Sequence, residues 1–305
     1  MFVTLVRDAG EALERGPRGQ RPKASAVRQL PGKEMDMARD VPVAELPTGV
    51  KLPYVEQGDP SGVPLLLVPG YTGSWRAFEP ILPFLSTSIH TFAITLRGHG
   101  GASRPQEGYT IPDFAADLVA LRDVHELEAA VLAGGSSGGL IARRVAIDHP
   151  VRTLGLVFLG SPRTPRGNVE VKKMSDEDVS EMTDPVDPEF VRDFLEPTVD
   201  RPVPPDRMDA MVQESLMVPA RVWGATLKGL LEDDSVDELH KIKAPTLIIW
   251  SDRDSLLPRE DEEALAAAIP GAQFVVYRGA GHVFYWEEPE RVAADLVSFV
   301  EGLHG

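Results

Sequence analysis

Ala129-Ala130-Val131-Leu132-Ala133 runs directly into Gly134-Gly135-Ser136-Ser137-Gly138-Gly139 and on into Leu140-Ile141-Ala142. The first run is apolar throughout and reads as a strand. The last piece opens a helix, and the serines sit on the tight turn between the two. Such a turn pushes a serine hydroxyl clear of the backbone. Glycine is needed two positions before and two after it, because a side chain at either place would collide across the turn. The pattern is G-x-S-x-G, and it marks a serine nucleophile. It fits twice: Gly134 and Gly138 flank Ser136, while Gly135 and Gly139 flank Ser137. The first frame is favoured. It leaves Gly139 where a helix would pack closely on a strand, and it makes Ser137 the following residue, whose backbone N–H would serve an oxyanion hole. Short Gly/Ser runs also occur as plain turns, so the rest of the chain decides.

Outward from this turn, strands and helices alternate. Pro64-Leu65-Leu66-Leu67-Val68, Thr91-Phe92-Ala93-Ile94-Thr95-Leu96 and Leu154-Gly155-Leu156-Val157-Phe158-Leu159 are near-continuous apolar runs. Strands of that kind belong to a sheet buried on both faces. Thr246-Leu247-Ile248-Ile249-Trp250 and Gln273-Phe274-Val275-Val276-Tyr277 follow. Phe114, Leu118, Leu121 and Val124 recur at helical spacing, so residues 112–127 should form an amphipathic helix. A closing helix carries Val292, Leu296 and Phe299. Nearer the start, β-prone pieces around Pro47-Thr48-Gly49 suggest a hairpin over residues 41–57. The expected fold class is α/β, with a mostly parallel central sheet and helices on both faces.

Two stretches break the alternation. Residues 1–40 are rich in Arg, Lys, Gly and Pro without sustained periodicity, and read as a flexible N-terminal extension. Residues 162–239 are rich in Asp, Glu, Pro and Met and carry no strong strand. A compact domain does not hold so long a structureless loop. Residues 189–195 and 206–231 look helical, so the stretch reads as a helical cap inserted into a core of residues 41–161 and 240–305. Its place after a sheet strand puts it over the carboxyl edge, where open α/β sheets bind ligands. The acidic run Asp176-Glu177-Asp178 reads as a solvated face of this cap.

Composition narrows the function classes. The 305-residue chain carries a net charge of −16, which argues against nucleic acid and against an anionic membrane surface. It has no cysteine, so disulfides, thiol chemistry and cysteine-based metal sites are excluded. No H-E-x-x-H, H-x-H or P-loop spacing occurs, and neither a metal nor another cofactor is expected. No apolar run approaches the ~20 residues of a membrane span. The apolar patch at residues 1–7 is too short for a secretory signal, so a cytoplasmic location is expected.

Several separate motifs now resemble those of the α/β-hydrolase fold superfamily, from about Val41 to Leu303. Residues 131–143, V-L-A-G-G-S-S-G-G-L-I-A-R, resemble its nucleophile elbow. Leu67-Val68-Pro69-Gly70-Tyr71-Thr72-Gly73-Ser74-Trp75 is similar to its oxyanion loop, and Arg97-Gly98-His99-Gly100-Gly101-Ala102-Ser103 to its R-G-x-G-x-S turn. Trp250-Ser251-Asp252-Arg253-Asp254 looks like the acid-bearing turn, and Gly279-Ala280-Gly281-His282 like the histidine loop. The resemblance implies a triad of Ser136, Asp254 and His282, in the chain order that this fold uses. It implies backbone N–H donors at Tyr71 and Ser137. The chemistry agrees: a serine hydroxyl needs a base, histidine titrates near neutrality, and its ring needs a carboxylate to hold the tautomer. Asp252 is the rival acid; the family's G-x-x-D spacing favours Asp254, with Ser251 in the glycine place.

Two departures stand out. Many relatives carry His-Gly where this chain has Pro69-Gly70, and an aspartate where it has Thr95. His99 reads as structural. Trp75, Phe78, Phe190, Met217 and Trp223 are the candidate substrate-pocket residues, with Met182, Met208, Met211 and Phe194 as further apolar residues that would line a pocket or fill the cap's own core. An apolar cap patch would serve a dimer as well as a pocket. Haloalkane dehalogenases and epoxide hydrolases resemble this fold but use an aspartate at the elbow, so Ser136 argues against both. The expected function is hydrolysis of a small to medium, largely apolar ester or lactone through an acyl-enzyme. Carbon–carbon bond hydrolysis, cofactor-free haloperoxidase or perhydrolase chemistry, and ligand binding without turnover are the alternatives.

Overall fold

The computed structural model describes residues 41–303, so the extension expected over residues 1–40 lies outside the described residues. Its strands are β1 (Val43–Glu45), β2 (Lys51–Gln57), β3 (Val63–Val68), β4 (Ile89–Ile94), β5 (Ala130–Gly135), β6 (Thr153–Leu159), β7 (Thr246–Ser251) and β8 (Gln273–Tyr277). They form one sheet in the order β1-β2-β4-β3-β5-β6-β7-β8. β1 and β2 make the expected hairpin, with Gly49 at φ +82 in its turn. β2 runs antiparallel to β4, and every later pairing is parallel. Every residue of β4, β5 and β7 is buried. That is why these segments read as unbroken apolar runs rather than alternating ones. β4 begins and ends two residues earlier than its sequence suggests. Thr95 has left the ladder with β3, and its hydroxyl accepts from the Trp75 N–H at 3.3 Å.

Helices cover the sheet. α1 (Ile111–Val124) opens with a capping box, in which Thr110 and Asp113 satisfy each other's backbone N–H groups. α2 (Gly138–Asp148) starts immediately after the serine turn. α7 (Arg259–Ala268) and α9 (Pro289–Gly302) follow β7 and β8, and α9 buries Val292, Leu296 and Phe299 as their spacing predicts. The short α8 (Phe284–Glu287) comes directly after the histidine loop. No helix among the described residues is long and apolar enough to cross a membrane.

Between β6 and β7 the elements are helical. α3 (Val169–Lys173) runs into a π-helical turn at Met174–Val179, where Asp176, Glu177 and Asp178 are exposed. α4 (Pro188–Leu195), α5 (Pro205–Leu216) and α6 (Ala220–Leu231) follow. The single helix expected over 206–231 is two. Pro219 has no N–H to continue α5, and its carbonyl instead accepts from Val222 and Trp223 to start α6. Fully buried Arg143 on α2 reaches this segment at both ends. Its guanidinium donates to the Arg163 carbonyl at 2.5 Å and to Ser235 Oγ at 2.6 Å, and pairs with Asp233.

Candidate active site

The turn after β5 explains its own sequence. Ser136 sits at φ +50, the left-handed region that a residue with a side chain enters only under strain. A Cβ on Gly134 would lie 2.3 Å from the Gly139 nitrogen, and one on Gly138 2.3 Å from the Val68 carbonyl oxygen. Both would be backbone collisions, so Gly134 and Gly138 are the obligatory pair and Ser136 lies at the apex. Ser137 already has helical backbone angles at the start of α2.

The Ser136 hydroxyl lies 2.9 Å from His282 Nε2, and His282 Nδ1 lies 2.8 Å from Asp254 Oδ2. A carboxylate only accepts, so Nδ1–H donates to Asp254 and Nε2 is left to accept from Ser136. The other Asp254 oxygen accepts from the Leu256 and Leu257 N–H groups at 2.8 and 3.0 Å. The Asp254 side chain is wholly buried and that of His282 nearly so. Asp252 does different work: it is exposed, and Oδ1 accepts from the Gly279 N–H at 2.6 Å, steadying the start of the histidine loop. Ser251 donates to the Gly281 carbonyl at 2.6 Å and ties that loop to β7.

The loop after β3 faces the serine. A Cβ on Gly70 would stand 2.9 Å from Ser136 Cβ. The backbone N–H groups of Tyr71 and Ser137 make no hydrogen bond among the described residues. The loop is held from the far side of the site. Tyr71 Oη donates to the Trp223 carbonyl at 2.8 Å, and Thr72, itself at φ +62, shares a 2.9 Å hydrogen bond with Ser215. Thr95 steadies the loop from the end of β4, its hydroxyl accepting from the Trp75 N–H at 3.3 Å. His99 is fully buried, with Nδ1 2.8 Å from the Arg97 carbonyl. Burial lowers its pKa to about 4, so it is a neutral structural ring.

A cavity partly open to solvent has Ser136 and His282 in its wall. Residues Gly70 to Gly73 of the loop after β3, α4, α5, the segment around Leu256, and α8 complete it. Its lining is mainly apolar, with Phe194, Met211, Leu256 and Val283 among it. Phe194 and Met211 therefore line the pocket, and Phe194 also packs against Tyr71 and Trp223.

The five pocket residues expected from sequence are not in that lining, and each has a packing reason. Trp75 and Phe78 lie on a 3-10 turn (Trp75–Phe78) that presents Ala77 to the cavity instead. Trp75 is buried under the Arg76 guanidinium, 4.7 Å from its ring centre. Phe78 backs Tyr285 at a centroid distance of 5.5 Å. Trp223 is fully buried in an edge-to-face cluster with Tyr71, Phe190 and Phe194. Phe190 stands behind it, and Met217 is 42% exposed where α5 ends. Sequence reasoning missed Tyr285 and Trp286. Their signal was the aromatic run Phe284-Tyr285-Trp286, close behind His282.

Known proteins share this architecture. Lipase 3 of Moraxella sp. (strain TA144) is 29% identical over 281 residues, covering 85% of this chain and 84% of its own. A non-heme chloroperoxidase of Streptomyces lividans is 27% identical over 269 residues, covering 83% and 97%. Among solved structures, Est816, an N-acyl homoserine lactone degrading enzyme, superposes with a TM-score of 0.71 at 28% identity, over 85% of this chain and 100% of its own. The family described as alpha/beta hydrolase fold matches residues 63–289, which run from β3 to the first residue of α9. Strand order, serine turn and sequence match agree, and the chain belongs to the α/β-hydrolase fold family.

Proposed function

We propose that the protein is a serine hydrolase that cleaves the carboxylic ester or lactone of a small to medium, largely apolar substrate. The observation that carries this reading is the hydrogen-bonded line from Ser136 through His282 to Asp254, in the wall of an apolar cavity. Ser136 Oγ attacks the carbonyl carbon as His282 Nε2 takes its proton. Asp254 stabilises the imidazolium without taking the proton. The negative charge that develops on the carbonyl oxygen is met by the Tyr71 and Ser137 N–H groups. His282 then protonates the leaving alkoxide, and the acyl group stays on Ser136. Water deprotonated by His282 attacks the acyl-enzyme and releases the acid. In this reading residues 162–239 act as a cap: they enclose the substrate and exclude bulk water.

The test is hydrolysis of a short-chain p-nitrophenyl ester by the wild type, Ser136→Ala and Ser137→Ala, each checked for folding. Ser136→Ala is expected to lose at least about a thousandfold in kcat, leaving a residual rate from the oxyanion hole and binding. Ser137→Ala keeps its backbone N–H and should stay within about tenfold of the wild type. The reverse pattern would move the nucleophile by one residue. The chloroperoxidase relative favours a second reading, in which hydrogen peroxide instead of water attacks the acyl-enzyme and a peracid leaves. Peracid formation outpacing ester hydrolysis at equal nucleophile concentration would favour it.

A further inference from the structure

Tyr285 is the feature of this cavity that the reaction above does not use. Its ring is only 3% exposed and is wedged among Phe78, Phe284 and Trp286, at centroid distances of 5.5, 5.9 and 6.1 Å. Its hydroxyl stands 3.3 Å from where a Cβ on Gly135 would be, beside the nucleophile's own backbone. The other hydroxyls in the lining are engaged. Ser136 bonds to His282, Thr72 to Ser215, Thr198 to the Leu195 carbonyl, and Tyr71 to the Trp223 carbonyl. Tyr285 Oη makes no hydrogen bond to another described residue, and it is not among the fully buried unpaired atoms, so the oxygen keeps some access to solvent. Burial, and then the negative charge of Asp254, raise its pKa, so at neutral pH it keeps its proton and can donate. A donor held on a rigid, packed ring in an apolar cavity discriminates strongly once a ligand excludes water from it. A ligand with an acceptor there gains a hydrogen bond, while one without leaves the donor desolvated and unpaired.

We propose that Tyr285 is a specificity-determining residue. Its hydroxyl donates to a second oxygen of the substrate, so the enzyme selects esters or lactones carrying an ether, hydroxyl or carbonyl oxygen close to the scissile carbonyl. The proposal rests on the serine-hydrolase reading and narrows its substrate class.

Two isosteric pairs test it, each exchanging one methylene for oxygen. p-Nitrophenyl methoxyacetate against p-nitrophenyl butanoate probes the acyl side. 2-Methoxyethyl acetate against butyl acetate probes the alcohol side. The quantity compared is the oxygen-to-methylene ratio of kcat/KM in the wild type divided by the same ratio in Tyr285→Phe, which cancels intrinsic reactivity. A quotient of at least about fivefold in either pair is expected. The melting temperature should not fall, because the hydroxyl touches no protein partner. A quotient near one in both pairs overturns the proposal, even if Tyr285→Phe slows every ester equally, since a donor to the reacting carbonyl would serve both members alike. A wild type inactive on all four esters removes the serine-hydrolase reading itself and the proposal with it.

Discussion

Glu262 on α7 is wholly buried, and neither carboxyl oxygen has a hydrogen-bond partner among the described residues. Burial, then the nearby charges of Asp254 and Asp261, push its pKa up from 4.5 to about 9. Between those values the folded chain holds a proton that the unfolded chain has released. The folded state binds more protons, so stability falls as pH rises through this window. Glu262→Met is expected to remove that slope and to raise stability at pH 8 by about 1 kcal/mol or more. Denaturant melts of both proteins at pH 5 and pH 8 decide it: a gap that does not widen toward pH 8 would overturn the account. Nothing in the sequence around Glu262 marks it, because a glutamate in R-E-D-E-E-A reads as an exposed helix face. Ser136 is the opposite case. Its strained φ and the collision that excludes a side chain from Gly134 are local, so the motif alone carries them, whereas the Gly138 collision is with the Val68 carbonyl at the end of β3.

Among the elements, the loop after β3 shows what long-range contacts add. Sequence places Tyr71 beside the serine by resemblance, but Pro69 gives no side-chain hydrogen bond to steady the loop. The structure supplies that support from α5 and α6, through Thr72–Ser215 and Tyr71 Oη to the Trp223 carbonyl. These partners are 143 and 152 residues away in sequence, and no periodicity reports them. Tyr71→Phe keeps the backbone N–H and the ring while cutting one tether. We expect kcat to fall about threefold to tenfold with KM nearly unchanged, since a displaced N–H weakens only the developing oxyanion. Steady-state kinetics on one ester settles it; a rise in KM at constant kcat would make the tether a binding feature instead. The same reasoning explains why the five expected pocket residues lie outside this cavity's lining. Nearness to the loop after β3 singled out Trp75 and Phe78, and apolar character alone singled out Phe190, Met217 and Trp223 in the segment between β6 and β7. Which of them faces Ser136 depends on the break at Pro219 and on how α4, α5 and α6 descend on the sheet.

Over the whole molecule, the parallel sheet was legible because both its faces are covered. Full burial turns strands into apolar runs, and runs alternating with helical spacing leave few topologies. The three polar residues of the site were legible for a related reason. Each lies just past a strand's carboxyl end, on β5, β7 and β8, and neighbouring parallel strands deliver their following loops to one edge. The cavity's shape was not legible, because the helices that shape it follow no strand ladder.

A flap that swings as one body needs two free stems, and here a single guanidinium grips both. Arg143 grows from the helix behind the nucleophile and holds Arg163 on one side of the helical segment and Asp233 with Ser235 on the other. Opening of this segment is then expected by breathing within the arch, around α4 and α5, while its feet stay planted. Hydrogen exchange is expected to show this directly, with residues near 163 and 235 protected long after residues 188–216 have exchanged. Arg143→Met should unfasten the feet, abolish that difference and leave a buried Asp233 without its cation, at a cost of about 3 kcal/mol in stability. Uniform exchange across the arch in the wild type would mean that the gate swings after all.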